Sequence, residues 1–252
     1  MCCFSRPVDD VANTRIFARW LPRTSADPGD VQGLAYQMDF RASEAMAMIL
    51  PLPVLAGSGG KAVKFIDLHN KADLFGTLAR CFPIIPRRSY RASSDTPQST
   101  GPLAVERVGS FDASFVPAIA DFARLDPRFR LPSGTWERLP AYRDWGFAVF
   151  KLRPDATTVH PMAFTFSRRE PERGLFFPTV HIHDGQIHKK EQFDHTLYCQ
   201  RPEGWPSPAG WQESPGHPAS ATWHTYGGLL ERRAHVFRRT LRGEMRNTDT
   251  WA

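Results

Sequence analysis

Three histidines surround one Asp-Gly step between Thr179 and Lys190, and no other segment concentrates so much metal-ligating chemistry. Asp-Gly between alternating residues is the strongest short-range hairpin signal, because a two-residue turn needs positive φ and these residues tolerate it. With Asp184 and Gly185 as the turn, His183 faces Gln186, Ile182 faces Ile187 and His181 faces His188. Side chains alternate faces along a strand. His181, His183 and His188 then share one face, and Val180, Ile182 and Ile187 the other. Three imidazoles within reach of one another are what a zinc or copper ion needs. His195 completes a possible four-ligand set. Asp194 beside it, or Asp184 in the turn, can fix an imidazole tautomer. The spacing is similar to the His-x-His of cupin barrels, although the expected glutamate is absent and Glu191 comes eight residues after His183.

A second constellation is Cys2-Cys3. Removal of Met1 would leave Cys2 terminal, and an α-amine titrating near pH 8 can act as base for its own thiol. That is the logic of N-terminal cysteine amidohydrolases, with Asn13 or Asn70 for an oxyanion hole and Arg15 or Arg19 to orient substrate. Alternatively Cys2 and Cys3 join the histidines on one metal, since thiolate and imidazole together suit zinc or copper. The functional expectation is therefore a metal-binding enzyme, hydrolase or oxidoreductase, acting on a small-molecule or peptide substrate with Cys2 and Asp194 as catalytic groups. The alternatives are the metal-free Cys2 amidohydrolase and a non-catalytic metal-binding or sensor protein.

The elements that must position these residues read mainly as strands. Strands are expected at 11–19, 33–40, 45–54, 63–68, 145–152, 161–167 and 175–183, with another after the Asp-Gly turn. Helical spacing predicts three helices: 71–82, 110–125 with Ser110 or Asp112 as N-cap, and 227–246 with Leu229, Leu230, His235, Val236, Phe237 and Leu241 on one face. The fold class expected is α+β, a mainly antiparallel sheet with three peripheral helices in a single domain over 1–252. Residues 86–103 read as a mobile loop. Residues 201–220 read as an extended Pro/Gly/Trp loop in which Trp205 and Trp211, with Trp223 beyond, can wall a pocket. Gly57-Ser-Gly-Gly60 lacks the Lys-Ser/Thr ending of a phosphate loop.

The opening Cys2-Cys3-Phe-Ser-Arg-Pro-Val, then Thr14-Arg-Ile-Phe-Ala, then Met46-Ala-Met-Ile-Leu-Pro-Leu-Pro-Val54, resembles an uncharacterised bacterial family known only as a domain of unknown function. The resemblance covers the first 55 residues or so, and the family's usual glycines between cysteines are missing here. It implies that the opening is a folded unit and carries no activity or assigned site.

Composition narrows the classes further. The 252 residues are 41% hydrophobic and 12% aromatic, enough for a sizeable core. No apolar run reaches transmembrane length, and residues 1–7 lack the apolar core of a signal peptide, so a cytoplasmic protein is expected, with no membrane partner. Of 32 basic residues, six are lysine. The arginine pairs at 87–88, 168–169, 232–233 and 238–239 are short and scattered, unlike the one-sided patch of a nucleic-acid binder, so no nucleic-acid partner is expected. Four cysteines in a chain this long do not make a disulfide framework, and Cys81 reads as a small buried hydrophobe.

Overall fold

The computed structural model describes residues 2–22, 29–55, 57, 59–71, 73–83, 111–154, 159–218 and 226–252. Their backbone is mostly strand: β1 (Cys2–Phe4), β2 (Asp10–Leu21), β3 (Val31–Arg41), β4 (Met46–Leu52), β5 (Val63–Ile66), β6 (Phe111–Val116), β7 (Gly146–Leu152), β8 (Met162–Ser167), β9 (Phe176–Phe177), β10 (His181–Ile182), β11 (Lys190–Gln200), β12 (Gln212–Glu213), β13 (Phe237–Arg246) and β14 (Thr250–Trp251). A five-stranded sheet runs β10-β1-β4-β7-β6, and a seven-stranded sheet runs β12-β13-β11-β2-β3-β8-β5. The short pair β14-β9 stands apart, with Trp251 opposite Phe176.

The two sheets share one core. Phe150 of β7 lies 6.0 Å (ring centroids) from Phe164 of β8 and 5.8 Å from Phe65 of β5. Strands in this core are covered on both faces, so β4 is buried at every position and β7 at all but Lys151. Such strands read as continuous apolar runs rather than as alternation. The Pro51 nitrogen, which cannot donate, sits beyond the reach of β1, which pairs with β4 only at Met48 and Ile49. A second apolar cluster covers the opposite face of the seven-stranded sheet. There Phe17, Ala35, Ala163 and Tyr198 meet Leu74, Phe75 and Leu78 of α1 (Leu74–Arg80), together with Tyr226, Leu229 and Leu230. Cys81 is buried at the end of α1 in this cluster.

The expected α+β class with three peripheral helices is corrected to a mostly β fold. Among the described residues α1 is the single α-helix, accompanied by short 3-10 turns. Residues 111–116 of the second expected helix form β6, paired with β7, and 119–124 form a 3-10 turn after Pro117. Ser110 and the mobile loop expected near 86–103 lie outside the described residues. The third expected helix is half β13, antiparallel to β11 from Arg246–Lys190 to Phe237–Cys199. Its apolar residues explain the ambiguity. Phe237, Leu241 and Met245 are spaced by four, which puts them on one stripe of a helix and equally on one face of a strand. A long partner strand decides in favour of β.

Gln32, buried in β3, ties the short β9 to the sheet: its Nε2 donates to Phe176 O at 2.7 Å and its Oε1 accepts from Phe176 N at 3.0 Å. Gln32→Leu keeps the volume and strands both backbone groups. Each orphaned buried group costs about 1–3 kcal/mol, so urea denaturation is expected to show a clear drop in midpoint. An unchanged midpoint would mean that the bridge contributes nothing.

Candidate functional site

The Asp-Gly segment does not form the expected hairpin. β10 is two residues long and pairs in parallel with β1, Cys2 opposite His181 and Cys3 opposite Ile182. The turn is an Asx turn: Asp184 Oδ1 accepts from Gln186 N at 2.8 Å, with Gly185 at φ 80°. Asn247 then holds the two limbs apart. Its Oδ1 accepts from His181 N at 2.7 Å, and its Nδ2 donates to His181 O at 2.9 Å and His188 O at 3.0 Å. A side chain thus takes the place of the cross-strand ladder. His188 is consequently exposed, with Nε2 3.0 Å from Asp184 Oδ2, and this contact raises the imidazole above its ordinary range.

His181, His183 and His195 do come together, walled by Phe4 and Phe193. His181 Nε2 lies 3.1 Å from His195 Nε2, the His181 and His183 rings are 4.9 Å apart, and Phe4 lies 5.7 Å from His183. His195 Nδ1 is 3.5 Å from Asp194 Oδ1. Asp194 Oδ2 accepts from Asn13 N at 2.6 Å. Burial pushes the Asp194 carboxyl up, but bonds from His195 and from the Asn13 and Thr14 backbone outweigh it and hold the group below the usual carboxylate range. Asn13 is held at φ 53°, where β2 bulges between Ala12 and Arg15.

Burial drives all three imidazoles toward neutrality. His183 and His195 are each pushed down to about 4, and His181 is lowered further, with His195 and His183 adding repulsion. The 3.1 Å contact requires one nitrogen to donate and the other to accept. With His195 Nδ1–H directed at Asp194, His195 Nε2 accepts from His181 Nε2–H. His181 Nδ1 is then a buried acceptor with no hydrogen-bond partner among the described residues.

This arrangement overturns the metal-centred readings. Among the described residues no group of three His, Cys, Asp or Glu side chains is placed to hold an ion. His188 is turned to solvent. Cys3 pairs with Ile182, and its side chain therefore points to the face opposite His181. The side chain of Cys2 lies outside what is described. Neither a zinc or copper enzyme nor a closed metal sensor fits, and no histidine-rich hairpin exists. The groups expected of an N-terminal amidohydrolase are dispersed as well. Asn13 Nδ2 donates to Asp39 Oδ2 at 2.7 Å, Arg15 lies over the Phe75 ring, Arg19 is bound to Glu231, and Asn70 sits in the turn before α1.

At the other end of β2 is a cleft of 550 Å³ that the sequence only half announced. It lies where the parallel strands β2 and β11 end, at Leu21 and Gln200. Trp20 and Trp205 lie 4.8 Å apart (ring centroids), and the Arg201 guanidinium sits 5.5 and 5.4 Å from them. Arg168 stacks on Trp20 at 4.9 Å. Trp205 is 52% exposed, high for so large an apolar side chain. One wall is pinned from inside the sheet. Buried Arg19 bonds Glu231 at 3.1 Å and the carbonyls of Gly228 and Leu229 at 3.3 Å, and Gln200 bonds Glu231 N and O and Ala234 O. His235, expected on a helix, lines this cleft and donates from Nδ1 to Ser214 O at 2.8 Å. Trp223 and His224 lie outside the described residues.

The class of protein these observations define is a mostly β protein built on two large sheets. No family model and no curated protein matches the chain. Solved structures similar to it include two of baculovirus P35. Baculovirus P35 is 14% identical, with 96% of this chain and 95% of that one covered and a TM-score of 0.49. A mutated baculovirus P35 after caspase cleavage is 12% identical, with 95% and 98% covered and a TM-score of 0.45. Likeness at this level bears on neither activity nor partner. No helix among the described residues is long and apolar enough to cross a membrane.

The imidazole cluster makes stability depend on pH. The folded values of His183 and His195 lie below the ordinary 6.5, so between pH 6.5 and about 4 the unfolded chain binds more protons. The stabilisation is complete above pH 6.5 and falls as pH drops, at a limiting slope of about 1.4 kcal/mol per pH unit per histidine. Urea midpoints taken from pH 7.5 to 4.5 should decline for the wild type and less steeply for His195→Gln. Equal slopes would show that His195 is protonated alike in both states.

Proposed function

We propose that the chain is a binding protein that grips an apolar or aromatic side chain of a peptide or protein partner in the Trp20–Trp205 cleft. The observation that carries this reading is the cation–π stack. Arg168 and Arg201 stack against two large rings, Trp20 and Trp205, the latter half exposed. Exposing tryptophan forgoes burial energy, and rigid Trp and Arg side chains dominate the energetics of protein interfaces. The cleft volume lies within the range that encloses a bound side chain or small ligand. Arg201, Arg233, Glu203 and Glu213 line it beside the Arg19–Glu231 pair. Both signs of charge are therefore available to the polar backbone and flanks of a peptide.

A phage-displayed peptide library selected on the wild type and counter-selected on Trp205→Ala tests the reading. Ring-bearing peptides that lose roughly tenfold or more in affinity on Trp205→Ala, the cost of truncating an aromatic anchor, are the expected result. Binders indifferent to Trp205, or none at all, would sink it.

A further inference from the structure

The basic face of β13 is a different matter from the cleft. Among the described residues, Arg239–Arg246 hydrogen-bonds as a strand on one side, to β11, while β12 covers only Phe237 and Arg238. The edge left open among the described residues is eight residues long, about 27 Å at a strand's rise of about 3.4 Å per residue. Its register with β11 is unbroken through Gly243, which sits at φ 89°, a conformation glycine adopts without strain. An open edge of this length presents a row of backbone donors and acceptors to another strand.

Charge selects which strand. Arg239, Arg242 and Arg246 make no ion pair among the described residues, and Arg242 and Arg246 are exposed. The nearby acidic groups are engaged. Glu244 bonds Lys190 at 2.7 Å, and Asp194 bonds the Asn13 backbone and faces His195. The edge is therefore net positive along its length. A second copy of β13 pairing antiparallel with Arg242 opposite Arg246 would set arginine against arginine, which is unfavourable for directly opposed side chains, and the register with Arg242 opposite Glu244 would compete with the Lys190–Glu244 pair. A nucleic acid would find the charge and leave the backbone row unmatched.

We propose that β13 is a docking edge for an acidic extended peptide, which adds as a further strand beside Arg239–Arg246. Main-chain bonds supply the affinity, and carboxylates four residues apart on the incoming strand meet Arg242 and Arg246, with a neutral residue opposite Glu244. The site is separate from the Trp20–Trp205 cleft, whose lining reaches β13 at Phe237, outside Arg239–Arg246.

The probe is an acetylated, amidated heptapeptide, Val-Glu-Val-Thr-Val-Glu-Val, titrated into the full chain with hydrogen–deuterium exchange as readout. Expected are protection of amides within 239–246, about tenfold weaker binding to Arg242→Glu/Arg246→Glu, and unchanged binding to Trp205→Ala. Binding should vanish when alternate peptide bonds of the probe are N-methylated on the edge-facing side. Equal binding of the N-methylated peptide would overturn the proposal, because charge alone would then suffice. Protection confined to other strands, no binding at millimolar peptide, tighter capture of oligothymidine at the same amides, or a dimer of the chain protecting them would each overturn it too. The two substituted arginines are exposed, so a folded double variant is expected, and its thermal midpoint checks this.

Discussion

The parallel pairing of β2 with β11 is the constraint on which the rest of the molecule depends. It sets Arg15 to Arg19 against Thr196 to Gln200, so the edge of β2 not taken by β3 is closed by residues 181 positions further along the chain. Parallel strands cannot be joined by a tight turn. Both sites lie at the ends of this one pair. Where it begins, the bulge at Asn13 turns a backbone N–H onto Asp194, which faces His195. Where it ends, Trp20 and Arg201 leave their strands side by side and become the cleft.

The buried imidazoles show how burial can reverse what residue type suggests. Three histidines within touching distance look like a ligand set on paper. In the folded chain they sit against Phe4 and Phe193, with His181 and His195 sealed and neutral. Desolvation disfavours the charged form and favours a hydrogen-bonded neutral pair. One carboxylate, Asp194, organises that pair from the edge, and it is itself kept ionised by backbone donors. The cluster is thus a polar seam in the core whose stabilising effect depends on its protonation state.

Some of this was legible in the chain. The continuous apolar run Gly146–Leu152 and the alternation of Met162–Ser167 are strands because their patterns allow little else. Leu74, Phe75 and Leu78 keep helical spacing and form α1, capping the outer face of the sheet. The spacing of His181 and His183 did place them on one side, and Trp205 did read as a pocket wall. His188 was misplaced because a two-residue turn was assumed, whereas Asn247, 59 residues away, bonds both limbs. Nothing local announces that bond. Trp20 and Arg201 carried no signal either, because their meaning lies in a pairing between distant strands.

What the sequence determined by itself was the chemistry available: an apolar content able to fill two clusters, a histidine-rich segment, a surplus of arginine, and periodicities that permit strand or helix. Where the spacing was four, as at Phe237, Leu241 and Met245, both periods were satisfied and the pattern was silent. Tertiary structure decided those cases, since a strand is chosen by its partner and β11 supplies one over ten residues. It also decided function-bearing geometry: which histidine turns inward, which arginine stacks on tryptophan, and which strand edge stays open. Each depends on contacts between residues far apart in the chain, and local propensity carries no information about them.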